Sequence, residues 1–422
     1  MSALPIADRI GRRVQWRLVL PLALFFLVGS LDRANVAFAS LEMNAAIGLT
    51  SAQYGFGAGI LFVGYVALKY PSVMLFEAIG LRKWLAVITL AWGITATAMS
   101  LVENPLSFYL FRFVIGTAEG GLASGVMLYL SHWAGPRYRA SILALPMAAI
   151  PVSQVIGAPL SGWLIEAPNP LGWEGWRWMF LVEGFPAILL AVFALLYFPD
   201  RPREARWLSA EEKDWIEANV TGSTPPPKGD SSRWDALRSP VTWTCAGIWF
   251  CGLAGNYGVM FWLPQTIRSL SGLGPTEIGV VVALPWLANA AGIFVNAHHS
   301  DRTQERFLHL AIPFAVASLS LLVAYLAGGG LLGLAALLVA GFCLGACVGP
   351  FWAVPTSLLK PSMLAVAIVA TAMVGSFAGL IVPTAMGLLR DATGGFAAPT
   401  FLLCAVLLAG AGFALVARRM AR

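Results

Sequence analysis

Twelve apolar stretches, most of them roughly 20 residues long, run through this chain near 17–39, 53–76, 84–102, 105–131, 140–165, 176–198, 242–267, 276–297, 307–327, 331–357, 363–389 and 397–417. A helix of that length satisfies its own backbone hydrogen bonds and crosses the ~30 Å hydrocarbon core of a bilayer. Little else is available to fold. Of 422 residues only 11% are charged and 58% are hydrophobic, against roughly a quarter charged in soluble domains. Such a chain cannot cover a water-facing surface, and the disordered, collagenous and disulfide-stapled classes are excluded as well. The predicted fold class is an all-α integral membrane protein with twelve transmembrane helices.

Cys245, Cys251, Cys343, Cys347 and Cys404 all sit inside apolar runs and read as packing residues. His298 and His299 are adjacent instead of one helical turn apart, and no acidic or cysteine cluster frames them, so neither a metal nor a cofactor is expected. Arg9, Arg12 and Arg13 precede a long apolar run. No small-residue cleavage site closes that run and Asp32-Arg33 interrupts it, which is the pattern of a first span and not of a removable signal peptide.

With both termini placed in the cytoplasm, 21 of the 27 basic residues fall on the cytoplasmic side and only Arg177, Arg268 and Arg390 in outer loops. That bias sets the orientation and accounts for the net charge of +6 without any nucleic-acid partner. One polar segment breaks the series, residues 199–240, with seven basic and eight acidic side chains. In it Ser209-Ala-Glu-Glu212 is a capping box that predicts a short amphipathic helix through about Asn219. The chain therefore divides into a first bundle, 1–198, a cytoplasmic linker, 199–240, and a second bundle, 241–422. Similar turns, Glu77 to Lys83 and Asp301 to Arg306, follow the second and eighth spans, as two related bundles require.

Charge at membrane depth is costly and needs a reason. Asp32, Arg33, Lys69, Arg112, Glu119 and Glu183 are so placed, all in the first half. At ~1.5 Å per residue Asp32 lies ~22 Å from the inner face and Arg112 ~10 Å from the outer one. The two are level, and they are expected to pair. Glu119 is two turns below Arg112 on the same face, with Lys69 near its level, giving a column of acids and bases such as a proton path needs. Glu183 reads as structural. Tyr65, Gln154, Asn256, Tyr257, Trp286, Asn289, Trp352 and Ser376 are the uncharged candidates for a cavity wall. No nucleophile elbow, metal motif or phosphate-cradling loop appears, so no enzyme is expected. A membrane receptor is disfavoured too, because the longest loop is the linker.

Six blocks in order resemble one family: Leu31 to Phe38, Phe108 to Glu119, Tyr197 to Lys213, Phe261-Trp-Leu-Pro264, His299-Ser-Asp-Arg302 and Arg390-Asp-Ala-Thr-Gly394. With the six-plus-six layout they are similar to the major facilitator superfamily, and within it to the anion:cation symporter branch, bacterial permeases for tartrate, phthalate, hydroxyphenylacetate and sugar acids. The resemblance implies two six-helix bundles of the major facilitator fold, in the bacterial inner membrane, rocking around one central site. The activity it implies is proton-coupled symport of a small organic anion such as a sugar acid, dicarboxylate or aromatic carboxylate, by a monomer. Carried over by position, Asp32 and Glu119 match the protonatable acids, and Arg33 and Arg112 the arginines of the anion path. Tyr65, Gln154 and Trp352 match substrate-contacting positions, with Asn256 and Ser376 beside them. Ser376 stands where many relatives have Asn, and Lys69 where Glu or Gln is common. The alternative is an exporter or antiporter of the same superfamily, for which Gly157, Pro159 and Gly162 form a partial motif.

Overall fold

A computed structural model describes residues 6–133, 142, 145–220 and 231–421, and every described secondary-structure element is helical. Arg137, Arg139 and the 221–230 part of the linker lie outside the described residues. The spans are α1 (Leu20–Ala34), α2 (Ser51–Ala67), α3 (Leu81–Ala98), α4 (Pro105–Glu119, continued by Leu122–Ser131), α5 (Ala149–Glu166) and α6 (Gly175–Tyr197). The second set is α7 (Pro240–Ser271), α8 (Pro275–Thr303), α9 (Leu308–Ala327), α10 (Leu331–Ala346, continued by Val348–Leu358), α11 (Pro361–Thr393) and α12 (Ala397–Met420). Among the described residues, ten segments are long and apolar enough to cross a membrane, and α2 with its continuation makes an eleventh. The helix α5, with Gln154, Ser153 and Ser161 buried along it, is less apolar and takes the fifth place.

Local sequence explains where the helices begin. Thr50 and Gln53 close a capping box at α2, and Asn104 with Ser107 does the same at α4, where Pro105 supplies the first-turn residue that needs no donor. The linker helix Ala210–Asn219 opens at Ser209 through the predicted box, with Glu212 returning to the Ser209 backbone at 2.9 Å. The second span is not one straight helix as its hydropathy implied. It breaks after Ala67 and resumes at a 53° angle, where Pro71 lacks a donor and its ring crowds the Ala67 carbonyl. Lys69 consequently sits at the break, as the first residue of the continuing helix Lys69–Ile79.

The linker does not hang free at its described ends. Glu212, 2% exposed, receives Arg13 at 2.7 Å, Trp207 stacks on Trp133, and Tyr129 donates to the Pro199 carbonyl. Those contacts fasten 199–219 to the first half, whereas Ser231–Arg238 packs on α11.

Across the middle, α2 packs on α11 and α5 on α8. The second span of each half thus meets the fifth of the other, the pairing that a twofold between halves generates. Close contacts between the halves gather, among the described residues, at the end where α1 joins α2 and α7 joins α8. There the Gly157 to Gly162 segment has its use: a Cβ at Gly279 of α8 would strike the Ala158 carbonyl and stand 2.9 Å from the Pro159 Cα. Gly279→Val is expected to cost that closed end ~1–3 kcal/mol through overpacking. The measure is thiol labelling of a single cysteine at Ala158, which should rise several-fold; unchanged labelling would show that the interface tolerates the methyls.

Candidate functional site

Five of the six charges expected at membrane depth are fixed by helices of the first half, with Lys69 at the break that follows α2. Arg33, in the last turn of α1, donates to Glu119 Oε2 of α4 from Nη2 at 2.5 Å and from Nε at 3.2 Å. Its guanidinium also stands 5.5 Å from the centre of the Tyr65 ring, and Lys69 lies 6.0 Å from the same ring. Glu119 is 1% exposed, and its Oε1 is buried without a hydrogen-bond partner. An acid and a base are therefore joined in the interior, with one oxygen of the acid unsatisfied.

The expected pair of Asp32 with Arg112 does not form. Asp32 Oδ2 accepts from the Trp92 indole of α3 at 2.6 Å, and its Oδ1 has no partner. Arg112, fully buried, donates from Nη2 to the Ala58 carbonyl at 3.2 Å, while its Nε and Nη1 are unpartnered. Depth along two helices does not fix the direction in which either side chain points. The acid turns to the α3 side of the bundle and the arginine to α2. Glu183 accepts from Ser161 at 2.7 Å and ties α6 to α5, and its Oε2 is buried with no partner among the described residues.

Six of the eight uncharged candidates divide into three groups. Tyr65 lies at the Arg33 and Glu119 pair, and Tyr257 of α7 approaches it through Phe62, ring centres 4.4 Å apart. Asn256 accepts from Asn289 at 3.3 Å, which links α7 to α8, and donates to the Gly252 carbonyl. Trp352, 37% exposed, joins Trp249 and Phe351 in an aromatic wall. Ser376 donates to its own helix at Ala372, and the neighbouring Gly375 packs under Trp249. Gln154 bonds the Ser30 carbonyl of α1, and Trp286 is buried in the second half.

Sequence reasoning missed Trp92 and Trp249. Each lies in an apolar run and reads as packing; a buried indole N–H usually finds an acceptor, and that of Trp92 takes Asp32. It also missed the seam at the closed end. There Asp391 of α11 accepts from the backbone N–H groups of Ser51 and Ala52 at 2.9 and 2.8 Å, capping α2 from the other half. Gln265 donates to Ser40 Oγ at 2.7 Å, and Tyr54 to the Phe261 carbonyl at 2.8 Å. Arg390 bonds Gln265 and lies 4.3 Å from the Phe396 ring.

Two membrane bundles joined at one end around buried, partly unpaired charges make a transporter. The chain belongs to the Major Facilitator Superfamily, whose pattern matches residues 22–383. It is 36% identical over 417 residues to a putative tartrate transporter of Agrobacterium vitis, covering 99% of this chain and 96% of that one. It is 34% identical to the inner membrane transport protein RhmT of Escherichia coli strain K12, covering 90% and 88%. A quinolone resistance transporter of Acinetobacter baumannii is 32% identical, covering 94% and 92%. In fold it is similar to a bacterial homologue of the human lysosomal transporter Spinster in an inward-facing, occupied conformation, with a TM-score of 0.74, 17% identity and coverage of 97% and 96%. The family and these relatives are transporters and not enzymes.

Proposed function

We propose that the protein is a proton-coupled importer of a small organic anion, working by alternating access in the bacterial inner membrane with both termini cytoplasmic. The observation that carries this reading is the interior charge set. Arg33 is held by Glu119, while Asp32 and Arg112 keep buried oxygen and N–H groups unsatisfied. An unmatched buried charge costs several kcal/mol and is retained where it has work to do. A carboxylate offers Arg112 the planar acceptor it lacks, and Arg33 an alternative to Glu119. Protonating Glu119 would release Arg33 to that cargo, which couples anion binding to proton binding, with Asp32 a second buried acid able to take a proton. The bilayer potential then assists inward movement of complexes with net positive charge. The Agrobacterium relative, a putative tartrate transporter, supports an anionic cargo.

Uptake into proteoliposomes along an imposed pH gradient tests it, with tartrate, sugar acids and aromatic carboxylates as substrates. Accumulation of at least one of them with measurable proton entry is the expected result; transport of none would overturn the reading. The Acinetobacter relative favours export instead, and exchange of external protons for an internal drug in the same vesicles would establish that direction. Orientation has its own measurement. A single cysteine replacing Glu217, half exposed on the linker helix, is expected to react with an impermeant thiol reagent only from the cytoplasmic side. Labelling from outside intact cells would invert the topology.

A further inference from the structure

A cavity of about 300 Å³ lies apart from the charged site, inside the second half. Its walls are a face of α7 carrying Gly258, Trp262, Thr266 and Leu270, with Leu321 of α9 and Leu337 of α10 opposite. The aliphatic hydroxyls along it are already spent. Thr266 returns to the Trp262 carbonyl, Ser271 to Ile267 and Thr400 to Phe396, at 2.9, 2.7 and 2.8 Å. No charged side chain lines it, so an anionic cargo has nothing to hold it there. It narrows toward the turn Gly328 to Gly330, where a Cβ on Gly329 would stand 3.1 Å from the Leu270 carbonyl. Leu326, Leu331 and Leu332 around that turn are 71%, 83% and 64% exposed. In a membrane-spanning bundle such side chains face lipid.

We propose that this cavity holds one acyl chain of a membrane phospholipid. The chain is the apolar, flexible occupant that the lining fits, and the surrounding bilayer presents it at the rim. One polar group suits the head-group end: the Tyr325 hydroxyl lies on the wall with no hydrogen bond shown among the described residues, a donor for an ester carbonyl. A chain seated here bridges α7 to the α9–α10 turn and fills what would otherwise be a dry void, whose lining lacks contact partners.

The test uses the full-length protein in vesicles of phosphatidylethanolamine and phosphatidylglycerol carrying a trace of diazirine-tailed phosphatidylethanolamine, photolysed and mapped by peptide mass spectrometry. Peptides of 258–271 and 321–337 are expected to be labelled well above those around Leu196, an 82% exposed side chain of α6 that meets only bulk lipid. Ala324→Trp, which fills the cavity from α9, should lower that excess about tenfold, the change that excluding two or so methylenes brings. Val281→Trp does so from α8 if the first variant fails to fold. Equal labelling of the two regions, or an excess that survives filling, overturns the proposal. So does an excess abolished by a transported carboxylate, which would assign the cavity to cargo.

Discussion

Replacing Glu119 by Gln is expected to abolish concentrative uptake driven by a pH gradient while leaving substrate/substrate counterflow intact. Glu119 is the acid that holds Arg33, and it sits in the interior with one oxygen unbonded. An amide of nearly the same volume still presents an oxygen to the guanidinium, so the contact between α1 and α4 survives. What it cannot do is take up and release a proton. The accumulation ratio available from each coupled proton is about tenfold per unit of pH gradient, and it should fall to one. Counterflow requires only binding and the rocking of the halves, and it continues. A purely structural Glu119 would lose both activities together or neither. Full accumulation by the Gln variant would sink the assignment and leave Asp32 as the coupling acid.

The sequence made much of this legible because the membrane restricts the choices. Spans show themselves by length and hydropathy, and the linker helix by its capping box, since both signals are local. The break after Ala67 was hidden because Pro71 sits in an apolar run, and hydropathy does not register a missing N–H. The charged residues were legible, for charge at depth is rare enough to stand out. Their pairing was not. Arg112 found the Ala58 carbonyl and Asp32 the Trp92 indole, and neither partner carries a charge that a reading of charges would notice. The contact that does form, Arg33 with Glu119, joins residues 86 apart whose common direction depends on how α1 packs beside α4. Backbone acceptors and indoles are silent in composition, so a site built partly from them is read only once the helices are placed.

That placement also separates two kinds of work. The first half holds the buried charges, whereas the second contributes Asn256, Asn289, Trp249 and Trp352, which are neutral. The halves then meet through Asp391, Gln265 and Tyr54 at one end. A rocking motion that breaks the seam parts α2 from α11, and α2 is the helix whose Ala58 carbonyl receives Arg112. Opening the closed end is thus coupled by position to the surroundings of the buried arginine.

For that reason Arg112→Lys is expected to reduce transport by about 10- to 100-fold without preventing insertion in the membrane. A lysine ammonium retains the charge and is able to bond the Ala58 carbonyl, so the packing of α4 on α2 has a substitute for its one hydrogen bond. It lacks the planar fork. The two N–H groups that Arg112 leaves unpartnered, Nε and Nη1, have no counterpart in fixed geometry, and a charged hydrogen bond is worth ~1.5–3 kcal/mol. The loss should appear equally in gradient-driven uptake and in counterflow, because binding precedes both. This distinguishes it from Glu119→Gln, which spares counterflow. Thermal unfolding of the purified variant should stay within a few degrees of the parent, as expected when a surface-remote charge is kept. Wild-type rates in Arg112→Lys would reduce Arg112 to a structural tie between α4 and α2, and the anion would then have to be held by Arg33 alone.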